Sequence, residues 1–223
     1  MERNFCSFVR IFELNKNILE FLQKHEKTLK IVTLRGSVTT NLINTFSGLK
    51  NLTLRIFFVM QPLRVIDPLK EMKNVENLLI SCDHNNVDYS LFDGKFPNVK
   101  KLHLIDFKAN FRPLTKFESV QEFTLEKCVM KTPISIPNVT KLKFSHVTFQ
   151  MIRNPFDFND TSLEEIQLSN CFFFAWFYQF LDREETKLKF AKLNQSRKDI
   201  KKDVLERNSH KVGRIRVYHY FSL

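Results

Sequence analysis

Two sets of cations offer most of the chemistry in this sequence. Lys30, Arg35, Lys50 and Arg55 make one set; Lys189, Lys192, Arg214 and Arg216 make the other. Each set falls at matching places in two successive copies of an apolar-x-x-apolar-x-apolar hexad, so like charges are expected to face each other. Like charges directly opposed on neighbouring strands are destabilising, and binding an acidic partner would offset that cost. Two readings without a partner compete with it. The cations form a solvated face with counterions, or they guard strand edges against aggregation. Lys101, Glu122, Lys141 and Glu165 are different, because their signs alternate from copy to copy. They are expected to form a register-setting ladder, each exposed pair contributing roughly 0–1 kcal/mol.

Catalytic and metal chemistry finds little material. The six histidines (25, 84, 103, 146, 210 and 219) have no metal-ligand spacing with cysteine or each other. Only His103 falls on the same strand face as the charged ladder. No G-x-S-x-G, H-E-x-x-H or EF-hand pattern occurs. Four glycines, at 36, 48, 94 and 213, exclude a P-loop and a G-x-G-x-x-G turn, which need clustered glycines beside phosphate. The chain reads as a non-enzyme with no cofactor and no metal. Its four cysteines (6, 82, 128 and 171) show no C-x-x-C, which suits a reducing compartment.

The elements that must position the cations follow from the hexad itself. It reads Leu49-Leu52-Leu54, Val75-Leu78-Ile80, Val99-Leu102-Leu104, Val120-Phe123-Leu125, Val139-Leu142-Phe144 and Leu163-Ile166-Leu168. Weaker copies start at Val9 and Leu29 before it, and at Leu188 and Val212 after it. A period of this size predicts a solenoid. Each hexad becomes a short parallel strand, apolar side chains inward and positions 2, 3, 5 and 7 outward. The chain then climbs back over the other side, with helices predicted at Ile18–Lys27, Phe174–Glu185 and Ser196–Arg207, the last capped by Ser196. The 24 phenylalanines are expected to fill the core, and the run from Phe172 to Tyr178 to pack within it rather than serve as an exposed anchor. Asn17, Cys128 and Cys171 fall where a strand bends out of the sheet and a small polar side chain can bond the freed backbone.

With these features the chain resembles the leucine-rich-repeat family over nearly its whole length. Phe96-Pro97-Asn98-Val99-Lys100-Lys101-Leu102 and Ile136-Pro137-Asn138-Val139-Thr140-Lys141-Leu142 are similar to its strand entry. The irregular repeat lengths and the cysteine at the turn resemble the repeats attached to F-box domains, the substrate receptors of cullin-type ubiquitin ligases. The expected fold is an α/β leucine-rich-repeat horseshoe. It has about nine or ten short parallel strands on the concave side, short helices and irregular loops on the convex side, and one domain over residues 1–223. An F-box would precede the repeats, and here the first hexad begins at Val9. That leaves almost no room for an N-terminal cap and predicts either that the natural protein continues upstream or that residues 1–25 are poorly ordered.

Charge bounds the partner. The net charge is +11, and residues 183–223 concentrate it, with twelve Lys/Arg against five Asp/Glu. This balance admits an acidic protein, nucleic acid or an anionic membrane surface. The leading expectation is protein–protein recognition through the concave face, the partner bearing an acidic patch. The resemblance implies substrate recognition for a cullin-type ligase. The rivals are an anionic polymer or membrane surface bound by the basic C-terminal region, and a degenerate fragment with no retained partner. Met1–Arg10 lacks a signal pattern, and the most apolar stretch, Cys171 to Leu181, is too short to span a bilayer. The N-x-S/T sequons at Asn51, Asn138, Asn159 and Asn194 are then read as chance. A cytoplasmic or nuclear chain is expected, monomeric or within a larger complex.

Overall fold

The structure is a computed structural model that describes residues 8–11, 16–25, 27–36, 38–58, 67–82, 92, 94–107, 117–130, 138–149, 163–171, 175–182, 188–196 and 202–220. Its frame is a ten-stranded sheet. The strands are β1 (Phe8–Ile11), β2 (Ile31–Gly36), β3 (Leu52–Phe58), β4 (Val75–Cys82), β5 (Lys101–Ile105) and β6 (Glu122–Glu126). Two-residue β7 (Val129–Met130) and β9 (Thr148–Phe149) pair with each other outside it. The frame continues with β8 (Lys141–Ser145), β10 (Glu165–Ser169), β11 (Phe190–Ser196) and β12 (Ile215–Tyr220). The ten strands lie in chain order, and every pairing between them is parallel.

Strict alternation drives this arrangement. In β5, β6, β8 and β10 the second and fourth residues are buried and their neighbours are not. Leu102, Phe123, Leu142 and Ile166 form one buried row, and Leu104, Leu125, Phe144 and Leu168 the next. Phenylalanines fill the space behind: Phe144 meets Phe123 edge-on at 6.4 Å and Phe149 at 5.9 Å between ring centroids. Each such pair adds about 0.5–1.5 kcal/mol beyond its buried area.

Four central repeats turn out of the sheet at the same place. Asp106, Lys127, His146 and Asn170 directly follow β5, β6, β8 and β10, with φ of 62°, 54°, 55° and 49°. Their amides still donate to the next strand, to the carbonyls of Glu126, Ser145, Ser169 and Asn194 at 2.8–2.9 Å. A left-handed residue thus swings the chain inward without breaking the ladder. The residue after each corner, Phe107, Cys128, Val147 or Cys171, is buried. The Cys128 thiol donates to the Glu126 carbonyl at 3.1 Å and the Cys171 thiol to the Ser169 carbonyl at 3.4 Å. Burial pushes these thiols up to about 12 and about 11. Asn17 does not share this role, being exposed within α1 (Lys16–His25).

A second ladder lies at the strand entries. Asn74, Asn98 and Asn138 donate side-chain amides to the carbonyls of Phe46, Lys73 and Glu118, one repeat back, at 2.7–2.9 Å. These asparagines, two of them in the Pro-Asn-Val segments, tie successive repeats where backbone groups have no sheet partner.

Two predicted helices are found: α1, which starts two residues before and ends two before its predicted bounds, and α3 (Ala175–Asp182), which lies within its predicted range. In α3, Phe177, Tyr178, Phe180 and Leu181 are buried, in keeping with a core role; the side chains of 172–176 lie outside the description. The helix α2 (Thr40–Asn44), capped by Thr39 accepting from the Leu42 amide at 3.1 Å, is too short for periodicity to show. Of the helix predicted over Ser196–Arg207, α4 spans Lys202–Arg207, residues 197–201 lying outside the described residues; Ser196 itself ends β11, opposite Tyr220. Asp182 accepts from Asn208 at 2.8 Å and Arg207 at 3.0 Å, joining α3 to the end of α4. The Asn208 bond, then the guanidinium, holds its carboxyl below the usual range.

Candidate functional site

Parallel sheets are ordinarily covered on both faces. Here the outward residues of the central strands are only half-buried or exposed, so this face is partly open to solvent. Its composition can be read row by row from the register.

The middle row runs through all ten strands: Arg10, Thr33, Arg55, Leu79, His103, Thr124, Lys143, Gln167, Lys192 and Arg216. It holds five Lys/Arg and no carboxylate. One flanking row contains Lys101, Glu122, Lys141 and Glu165. There Lys101 meets Glu122 at 3.0 Å and Lys141 meets Glu165 at 3.5 Å. The expected alternating ladder is therefore present and self-neutralised. By contrast, among the described residues, none of the middle-row cations has a carboxylate within 4 Å. The other flanking row, Arg35, Phe57, Ser81, Ile105, Glu126, Ser145, Ser169, Asn194 and Tyr218, is mostly uncharged.

Of the late cation set, two members are brought together. Lys192 and Arg216 are direct partners across β11 and β12, with Cα atoms roughly 4.8 Å apart. Their repulsion is eased by rings. Lys192 Nζ lies 5.2 Å from the Tyr218 centroid, and the Arg216 guanidinium 6.0 Å from that of Phe190; such contacts contribute about 0.5–1 kcal/mol at exposed sites. Tyr218 is 44% exposed, a large apolar side chain presented to solvent. Arg214 is exposed just before β12. Lys189 is set apart, its ammonium held by Glu164 at 2.6 Å.

The early set is corrected. Hexad counting makes Lys30 equivalent to Lys50, and Arg35 to Arg55. The register instead places Val32 against Leu54 and Leu34 against Ile56, a shift of two residues. Arg55 therefore faces Thr33 and Leu79, and Arg35 faces Phe57. The pairing with β4 agrees, Leu54 lying against Leu78 and Ile56 against Ile80, with Glu76 the extra residue where that register slips between Val75 and Asn77. The first copy is shifted too. Val9 and Ile11 pair with Val32 and Leu34, the places that hexad counting gives to Phe12 and Leu14, which lie outside the described residues. Lys30 and Lys50 are exposed ahead of their strands. The like-charge argument for this set falls, although Arg55 joins the middle row.

Two members of that row escape a reading of charge clusters: Arg10 and Lys143. Only the register reveals Arg10, whereas Lys143 falls at the same hexad position as Lys192 and Arg216. His103 occupies the row's centre with Nε2 3.4 Å from Glu126 Oε2. Burial dominates and holds it below the ordinary imidazole range despite the carboxylate. Beside it, a cavity of about 160 Å³ opens on the face, with Lys143, Gln167 and Lys192 along one wall and Ser145, Ser169 and Asn194 along the other.

Among the described residues, no three or more His, Cys, Asp or Glu are grouped to hold a metal ion, and no helix is long and apolar enough to cross a membrane. Comparison with known proteins finds no matching family, no matching curated protein and no matching solved structure.

Proposed function

We propose that this chain is a leucine-rich-repeat-like solenoid that recognises an acidic segment of a protein partner on the open face of its sheet. One observation carries the reading: a row of side chains across ten strands that includes five Lys/Arg and no acid. The adjacent ladder neutralises itself, so a general surplus of basic residues does not account for the contrast. Cations aligned along an open face steer an acidic partner and fix its register. In the setting implied by the resemblance to F-box-linked repeats, that partner is the substrate of a cullin-type ligase.

The test is fluorescence anisotropy with a labelled poly-glutamate peptide at physiological salt. Reversing Arg10, Arg55 and Arg216 to Glu abolishes binding. Reversing Lys24, Lys27 and Lys70, which are exposed elsewhere, leaves it within about threefold. Equal loss in the two triple variants overturns the reading, because net charge alone would then explain binding.

A second reading rests on the Lys192–Tyr218 and Arg216–Phe190 contacts, since interleaved cations and rings suit single-stranded nucleic acid. A log–log salt slope of several units, with little sequence preference, distinguishes it.

A further inference from the structure

Resting on the reading of the open face as a binding surface, we propose that its cavity receives a phosphorylated serine or threonine side chain of the partner. Lys143, Gln167 and Lys192 are successive partners across β8, β10 and β11. The two lysines therefore stand roughly 10 Å apart at the Cα, one strand between them. That span lets two ammonium groups converge on a single anion held above Gln167. The opposite wall adds the Ser145 and Ser169 hydroxyls and the Asn194 side chain, also from successive strands.

The donor set fits phosphate better than carboxylate. A phosphomonoester carries about −1.5 to −2 charges and three acceptor oxygens. Two lysines match that charge, and the amides and hydroxyls match the remaining oxygens. A carboxylate, with one charge and two oxygens, leaves half of this set idle. Glu126, the one acid in the lining, is directed to His103 at 3.4 Å and Lys127 at 3.9 Å. Neither lysine has a carboxylate partner among the described residues, whereas Lys141, a flanking-row lysine on β8, does. Such charge-assisted bonds also discriminate by geometry.

The experiment titrates the full-length, isotope-labelled protein with O-phosphoserine, with glutamate and with vesicles bearing phosphoinositide headgroups, following backbone amide shifts. The result expected is saturable shifts at 143–145, 167–169 and 192–194, at concentrations about tenfold lower for phosphoserine than for glutamate. Lys143→Gln and Lys192→Gln each abolish them while the remaining spectrum is retained, and Lys70→Gln, at an exposed position off this face, leaves them intact. Shifts spread over all basic surfaces, an equal response to glutamate, insensitivity to both lysine changes, or preferential vesicle binding each overturn the proposal. If phosphoserine fails while poly-glutamate binding still depends on Arg55 and Arg216, the pocket alone is refuted. If both fail, the reading of the face falls with it.

Discussion

Lys127 is the position where the repeated corner is most open to a quantitative test. It holds φ at 54°, where a Cβ crowds the following carbonyl at a cost of about 1–2 kcal/mol. Glycine has no such cost but returns about 0.5–1 kcal/mol of chain entropy to the unfolded state. The lysine side chain contributes little, since its ion pair with Glu126 is 3.9 Å long and largely exposed. The amide bond to the Ser145 carbonyl at 2.8 Å is main-chain and survives any substitution but proline. Lys127→Gly is therefore expected to stabilise the protein by roughly 0–1.5 kcal/mol, the difference between those terms. Lys127→Val places a β-branched side chain in the left-handed region and is expected to cost about 1 kcal/mol or more. In a chain of this size each 1 kcal/mol moves Tm by about 2–4 °C. Urea titration of the two variants beside the wild type reads both numbers. A glycine variant less stable than the valine variant would refute the corner and the shared turn built from it.

Other expectations concern the core and its titrating groups. Phe144→Ala, removing a ring packed against Phe123 and Phe149, is expected to lose about 3–5 kcal/mol in chemical denaturation; a loss under 1 kcal/mol would contradict close packing there. With its thiol pushed up to about 12 from 9.0, Cys128 carries roughly a thousandfold less thiolate at pH 8 than an ordinary cysteine. Alkylation of the folded protein, followed by mass spectrometry, should leave it unmodified until urea is added. His103 is held below its ordinary range by burial, so the unfolded chain takes up its proton first. Its contribution to stability is constant above about pH 6.5 and falls as pH drops toward the folded-state value. His103→Gln should flatten the stability difference between pH 7 and pH 5.5; an unchanged slope would remove this residue from the acid response.

The strand count and the inward faces were legible because burial alternates with period two, and Leu102, Leu104, Leu142 and Phe144 announce it directly. The ladder of Lys101, Glu122, Lys141 and Glu165 was legible for the same reason, four consecutive repeats keeping one register. The early register was not. Leu49, Leu52 and Leu54 satisfy the hexad, yet so do Leu54 and Ile56 as its inward pair. Only pairing with β2 and β4 chooses between them. The strand at Phe190–Ser196 runs past its hexad because β12 is there to pair with it. That is a tertiary effect with no local signal. The middle row suffered most, since a one-strand error in register hides a column of cations contributed by residues some 20 positions apart.

Both proposals require the middle-row side chains to stand side by side, and disulfide trapping measures that placement. Directly opposed residues in this sheet have Cα atoms roughly 4.8 Å apart, within disulfide range, whereas a two-residue offset raises the separation to roughly 8 Å, beyond it. Arg55→Cys combined with Leu79→Cys is expected to close on mild oxidation, as is Lys192→Cys with Arg216→Cys, with peptide mapping identifying each bond. Arg55→Cys combined with Ser81→Cys, or with Arg35→Cys, should stay open. Closure of those last two pairs in place of the first would scatter the cations over different rows and contradict the account.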